Sequence, residues 1–322
     1  MADSTVRSSV AGSAAPRWAA RILVLGAFAV TVWLCGPRAM AVLAAKLDQT
    51  GRNSPGVALD RVGFVSRPDW LDNPLLLAMS AAVSPWLRDE VPILDEALAR
   101  RLRDGLATVP WVRDASIERV FPDRFQLHLA LRRPVLAVRT AEGAPLCLVD
   151  RDAVALPWVD TALPVVVLYR EGGAPTMAFE AGAVVTESRV RAAAAIAVEW
   201  RDELAPLVAG CPPLLEVDAT NLGERWLRGP SYPEVRVKLR RADGAGVVFA
   251  YGRPVDSPLA RVPVRTKASV LEQILGLHPG LQGLVAGDLR LLRRWADYLQ
   301  PRAAGVRDPI GPWSELPVPR GG

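Results

Sequence analysis

"TVPWVRDASIERVFPDRFQLHLALRRPVL", residues 108–136, is the stretch from which the fold can be read. Trp111 to Phe121 has the composition of a strand and Pro122-Asp123-Arg124 that of a turn. Phe125, Leu127, Leu129 and Leu131 then alternate with Gln126, His128, Ala130 and Arg132. Alternation at a period of two places one set of side chains on an apolar face and the other in water. His128 falls in the polar set, so its expected neighbour is solvent.

Upstream, Leu98, Leu102, Leu106 and Val109 recur at spacings of four, four and three within residues 92–109, which lines them along one helical face. Asp95 is placed to cap that helix and Pro110 to stop it. The hairpin's apolar face is expected to lie on this helix. Earlier still, Val57 to Val65 reads as a strand, and Asn73 to Val83, "NPLLLAMSAAV", as a short helix with Pro74 at its first position. The order strand, helix, helix, strand, strand predicts a small sheet covered by two helices, an α+β module over residues 57–138.

Downstream, residues 139–300 read as a second, β-rich domain with helices. Within "LCLVDRDAVALP", residues 146–157, Asp150 and Asp152 flank Arg151 in a predicted turn. Their expected role there is to bond the backbone of the turn, not to work as an acid-base pair. Leu163 to Tyr169 is a buried strand. Val190, Ala193, Ala194, Ala197 and Leu204 mark one face of a helix from about Glu187 to Leu204. Leu214 to Val217 gives another strand. Val235, Val237 and Leu239 pair back on residues 247–251 through the turn Arg241-Ala242-Asp243-Gly244. Lys267 precedes a helix face of Val270, Leu271, Ile274 and Leu275.

Residues 1–17 have little to bury and read as a flexible cytoplasmic tail. Ile22 to Gly36 is uninterrupted by charge. Counted from Trp18, that helix would rise about 28 Å against a hydrocarbon core of about 30 Å. Residues 18–36 are therefore read as a single membrane-spanning helix in lipid, with residues up to 45 beside the membrane. Ala39-Met40-Ala41 also has the small-x-small form of a signal-peptide cleavage site, the competing reading. Arginines and lysine are balanced on the two sides of the run, so charge does not orient it. Under both readings the bulk of the chain lies outside the cytoplasm.

The net charge of +5 raises the question of nucleic acid. Of 39 basic residues only Lys46, Lys238 and Lys267 are lysines, and the 36 arginines are scattered without a basic block or an aromatic RNA motif. No nucleic-acid partner is expected. Cys35, Cys147 and Cys211 have no metal-ligand or redox spacing. The two histidines, His128 and His278, belong to no metalloprotease pattern, and neither a nucleophile elbow nor a phosphate-binding glycine loop occurs. The chain is read as a non-enzyme, with no cofactor, no metal and no small-molecule substrate. The Pro-rich residues 301–322 read as a loose tail.

The stretch from Val57 to Val138 resembles the POTRA domain of the FtsQ/DivIB bacterial cell-division proteins. In that family a helix ends in a Pro-Trp-Val step, followed by an "A-x-V-x-R-x-x-P" strand and turn and an alternating strand closing on "R-x-P-V". Val109, Pro110, Trp111, Val112, Ala115, Arg119, Pro122, Arg133, Pro134 and Val135 stand at the matching positions. "LVDRDAVALP" is similar to the hairpin that opens the family's β domain, with Ala153 where a glycine is usual. Asp288-Leu289-Arg290 matches a "D-L-R" element of a late strand.

The resemblance implies a single-pass inner-membrane protein enriched at the division site. It would bind partners resembling FtsB and FtsL through an exposed strand edge, the mode called β-augmentation. That edge would lie within Leu284, Val285, Asp288, Leu289, Arg290, Leu291 and Leu292. One departure stands against it, because Leu289, Leu292, Ala296 and Leu299 fall at helical spacing and would replace strand by helix. A second reading, a POTRA-bearing envelope transport or assembly factor, predicts binding of unfolded polypeptides instead. It would carry a barrel, whose many amphipathic strands this sequence lacks.

Overall fold

The computed structural model describes residues 40–47, 49, 56–57, 68–87, 91–92, 96–120, 124–168, 179–225, 228 and 232–301. No helix among them is long and apolar enough to cross a membrane. Residues 18–36, read as the span, lie outside the described residues, as do Pro122 of the hairpin turn and most of the predicted strand from Val57 to Val65.

The chain is a mixed α+β protein that divides into two compact units, one of residues up to 62, 89–101 and 119–125, the other of the remainder. In the first unit, residues 40–47 form helix α1 with exposed side chains, and β1 (Gly56–Val57) pairs antiparallel with β2 (Val91–Pro92). The first strand was expected to join the hairpin's sheet, but most of it lies outside the described residues. Among those described, β3 (Val112–Val120) and β4 (Arg124–Leu131) pair only with each other.

Helix α2 (Asn73–Val83) is capped by Asp72, whose Oδ1 accepts the Leu75 amide at 2.9 Å. The cap sits one residue before the position read from the sequence, so Pro74 falls in the second helical place, where it still costs no internal hydrogen bond. Helix α3 (Glu96–Ala107) buries Leu102 and Leu106 as its spacing required. Trp111, Val112, Ala115 and Leu127 of the hairpin are buried as well.

The second unit is dominated by a nine-stranded sheet. Its strands are β5 (Pro134–Thr140), β6 (Pro145–Asp150), β7 (Ala155–Leu156), β8 (Val165–Leu168), β9 (Leu214–Asp218), β10 (Val235–Arg240), β11 (Gly246–Gly252), β12 (Leu284–Asp288) and β13 (Gln300–Pro301). Their spatial order is β13-β12-β11-β10-β9-β8-β5-β6-β7. Three neighbouring pairs are parallel, β5 with β8, β8 with β9 and β11 with β12. Parallel neighbours need a crossover longer than a hairpin. Helix α4 (Ser188–Glu199) supplies one between β8 and β9, and α5 (Val264–Leu277) supplies another between β11 and β12. β5 opens at Pro134, so residues 134–138, read as the end of the α+β module, lie in the large sheet.

The core is one hydrophobic cluster holding Val138 and Val149 of the sheet, Ile196 of α4, Phe249 of β11 and Leu271 of α5. Glu187 caps α4 through the Arg189 amide, and the alanine-rich helix widens into a π turn at Trp200–Leu204 before Pro206. The helix suggested over residues 289–300 does not form. The Leu289 amide donates to the Ala250 carbonyl at 3.1 Å, which ties it to the sheet, and only a single 3-10 turn follows at Trp295–Tyr298. Gln300 then returns to pair with Ala286.

Candidate functional site

All five residues of β12 are buried, Leu284 at 1 % exposure among them. On its inner side the strand pairs with β11, Val248 to Ala286 and Ala250 to Asp288. On its outer side Leu284 and Ala286 face Pro301 and Gln300 of β13, with an irregularity between the two pairs. The edge expected to be open is thus covered along its first three residues. What reaches the surface is the turn that follows, where Leu289 is buried, Arg290 and Leu291 half-buried, and Leu292 exposed.

Asp288 and Arg290 shape that turn. The Asp288 carboxylate accepts the Arg290 amide at 2.8 Å and its guanidinium through Nε at 2.9 Å and Nη2 at 2.7 Å. Two charge-assisted bonds from one fork fix both side chains, and the pair is well shielded from water. Arg290 passes close to Gly252, where a Cβ would meet its Cδ at 3.4 Å and where φ is +112°. The left-handed φ is what calls for glycine, since 3.4 Å is an ordinary van der Waals contact. Beside the pair lies a cleft of about 470 Å³, which Arg253, Arg261 and Leu291 help to line. Arg253 donates to the Ala260 carbonyl at 2.6 Å and stands 3.4 Å from Glu234. The cleft is therefore polar, with its charges largely compensated.

The residues that carry the family resemblance are distributed between the β3–β4 hairpin and the nine-stranded sheet. Pro110 ends the turn after α3, Trp111, Val112 and Ala115 are core residues around β3, and Pro134 and Val135 are buried at the start of β5. Arg133 is exposed, and its guanidinium lies 6.0 Å over the Trp70 ring. Arg119 lies in β3, with its side chain outside the described residues. Asp150 is buried and its Oδ1 accepts the amides of Asp152 and Val154 at 2.9 and 2.8 Å, the turn-stabilising role expected of it. His128 is half-buried, its ring 3.3 Å from the exposed Glu118. Cys147 and Cys211 are both free. Burial pushes the Cys147 thiol up to about 12 and the Cys211 thiol up to about 11, so neither is poised as a nucleophile.

A buried charged cluster was not anticipated. Glu199, at the end of α4, accepts bonds from the Tyr251 hydroxyl and from Arg261. Lys267 Nζ lies 3.6 Å from the same carboxylate and 3.4 Å over the Tyr251 ring. At that separation the ammonium is an ion-pair neighbour of Glu199 and not its hydrogen-bonded donor. Desolvation, reinforced by the Arg261 charge and opposed by Glu199, lowers Lys267 to about 8. The signal was present in the helix period, since Lys267 shares the face of Val270, Leu271 and Ile274. Among the described residues no cluster of His, Cys, Asp and Glu could hold a metal ion.

No family model matches the chain, and no curated protein matches it.

Proposed function

We propose that this chain is a non-catalytic, single-pass scaffold of the bacterial division complex. Residues 18–36 anchor it in the inner membrane, and its extracytoplasmic part binds proteins resembling FtsB and FtsL. The observation that supports this reading best is the position of the Asp288-Leu289-Arg290 motif. It closes a strand next to the margin of the large sheet and fixes a turn that offers Leu291 and Leu292 to a partner. A strand partner has two routes. It can displace the two residues of β13, or it can lie against the turn and the adjoining cleft.

The test is a fluorescent fusion to the N-terminus, imaged in dividing cells of the source organism. Leu291→Glu/Leu292→Glu is the informative variant, because it charges the surface turn and spares the buried strand. Midcell recruitment of the parent that fades in the variant, at equal protein level, supports the scaffold. Uniform envelope signal of the parent, with normal division after its depletion, overturns it in favour of the transport or assembly factor.

A further inference from the structure

Five arginines converge on three aspartates in a cleft of about 290 Å³. Arg113 comes from β3, Arg132 and Arg133 from the link between β4 and β5, Arg151 from the turn after β6 and Arg201 from the π turn. The carboxylates are already engaged. Asp150 accepts Arg132 Nη1 at 2.9 Å as well as two backbone amides. Asp152 stands 3.4 Å from Arg113 and 4.0 Å from Arg132. Asp202 takes both Nε and Nη2 of Arg201, at 2.6 and 2.8 Å.

Arg133 and Arg151 are left over, both exposed, with no carboxylate in ion-pair distance among the described residues. Five cations on three anions leave a surplus of two positive charges. Arg133 is held below the usual arginine range by burial first and then by the charge of Arg201, with Asp202 opposing. An incoming anion would offset the repulsion from Arg201.

A second cleft, of about 450 Å³, shares Arg133, Val135 and Arg201 with the first and continues over Trp70, Leu163 and the Pro212-Pro213 step. The two together pair a cationic end with a mostly apolar wall, whose one carboxylate, Asp72, already accepts the Leu75 amide and the Thr161 hydroxyl. A free inorganic anion would use only the arginines, whereas a polypeptide carrying carboxylates beside apolar side chains matches both halves. Guanidinium forks bind carboxylates in a planar, bidentate way, and Trp and Pro faces take apolar side chains. We infer that this double cleft is a docking site for an acidic, partly apolar segment of a partner protein, separate from the turn after β12.

Fluorescence anisotropy of the full chain with a labelled peptide of alternating glutamate and leucine tests it. Saturable binding that weakens with salt is expected, falling at least about tenfold in Arg133→Glu/Arg151→Glu. Arg151→Glu alone is expected to give part of the loss, and Arg191→Glu, on an exposed face of α4, none. Leu291→Glu/Leu292→Glu should bind the peptide as the parent does, which keeps this inference apart from the scaffold reading. Absence of saturable binding, or an equal loss in Arg191→Glu, overturns the proposal. So does equal affinity for inorganic phosphate, or for vesicles of phosphatidylglycerol without competition by the peptide, since those outcomes define an anion or lipid site.

Discussion

Ala153 adopts φ +59°, a left-handed conformation that crowds a Cβ against the backbone. It does so because Asp150 gathers the surrounding amides and the Ala153 amide itself donates to the Asp150 carbonyl at 3.1 Å. The departure from glycine noted in the sequence therefore changes the residue but leaves the turn intact. Ala153→Gly is expected to stabilise the protein by about 0.5–1 kcal/mol, visible as a raised Tm in a thermal melt.

Lys267 makes a second prediction at this scale. Its folded pKa of about 8 lies below the unfolded value of about 10.4, so between those two the unfolded chain holds a proton that the folded chain has released. Stability from this group therefore rises as pH climbs through that window, by on the order of 3 kcal/mol, and its full cost is present below about pH 8. Lys267→Met should flatten the slope in urea titrations across that range. Glu199→Gln leaves the buried Lys267 and the half-buried Arg261 without their counter-charge and is expected to cost about 3–5 kcal/mol.

Among the elements, β12 and β13 show how close packing sets a boundary. A Cβ at Gly287 would lie 2.6 Å from Phe249 Cε1 and 3.1 Å from Leu299 Cδ2. Phe249 is fully buried and cannot retreat, so the strain of Gly287→Ala falls on Leu299 and the short β13 behind it. A loss of about 1–3 kcal/mol is expected, with faster amide exchange around Gln300 than in β10. Trp295, whose Nε1 donates to Gln273 of α5 at 2.9 Å, should hold the preceding turn in place. The helical spacing of Leu289, Leu292, Ala296 and Leu299 misled because Leu289 is committed to the sheet and Leu292 to water. A period identifies a face only when the whole face is buried together.

For the whole molecule, hairpins and amphipathic helices were legible and long-range pairing was not. Valine alternation and the Arg241 to Gly244 turn located β10 and β11 almost to the residue, and α5 followed from its apolar period. The placement of β5 was hidden. Its residues are buried from Pro134 to Val138, as in a strand covered on both faces, and such a run does not say which sheet it joins. The Glu199 cluster was hidden in part: the helix period puts Lys267 on an apolar face, but Tyr251 and Arg261 lie 52 and 62 residues from Glu199 along the chain. Removing residues 284–322 would take Leu284, Leu289 and Trp295 out of the common core. That truncation is expected to abolish cooperative unfolding of the large sheet, so its effect on recruitment in cells would report misfolding and not lost contact.

Both outermost strands of the nine-stranded sheet, β7 and β13, are two residues long, and β13 ends on a proline that has no amide to donate. Outside β7 the chain folds back, with the Ala155 amide donating to Ala183 and the Gly182 amide to Ala155. Two copies meeting margin to margin would find almost no ladder to extend. Growth of the sheet into fibrils by self-pairing at its two margins is thereby disfavoured, however high the local concentration.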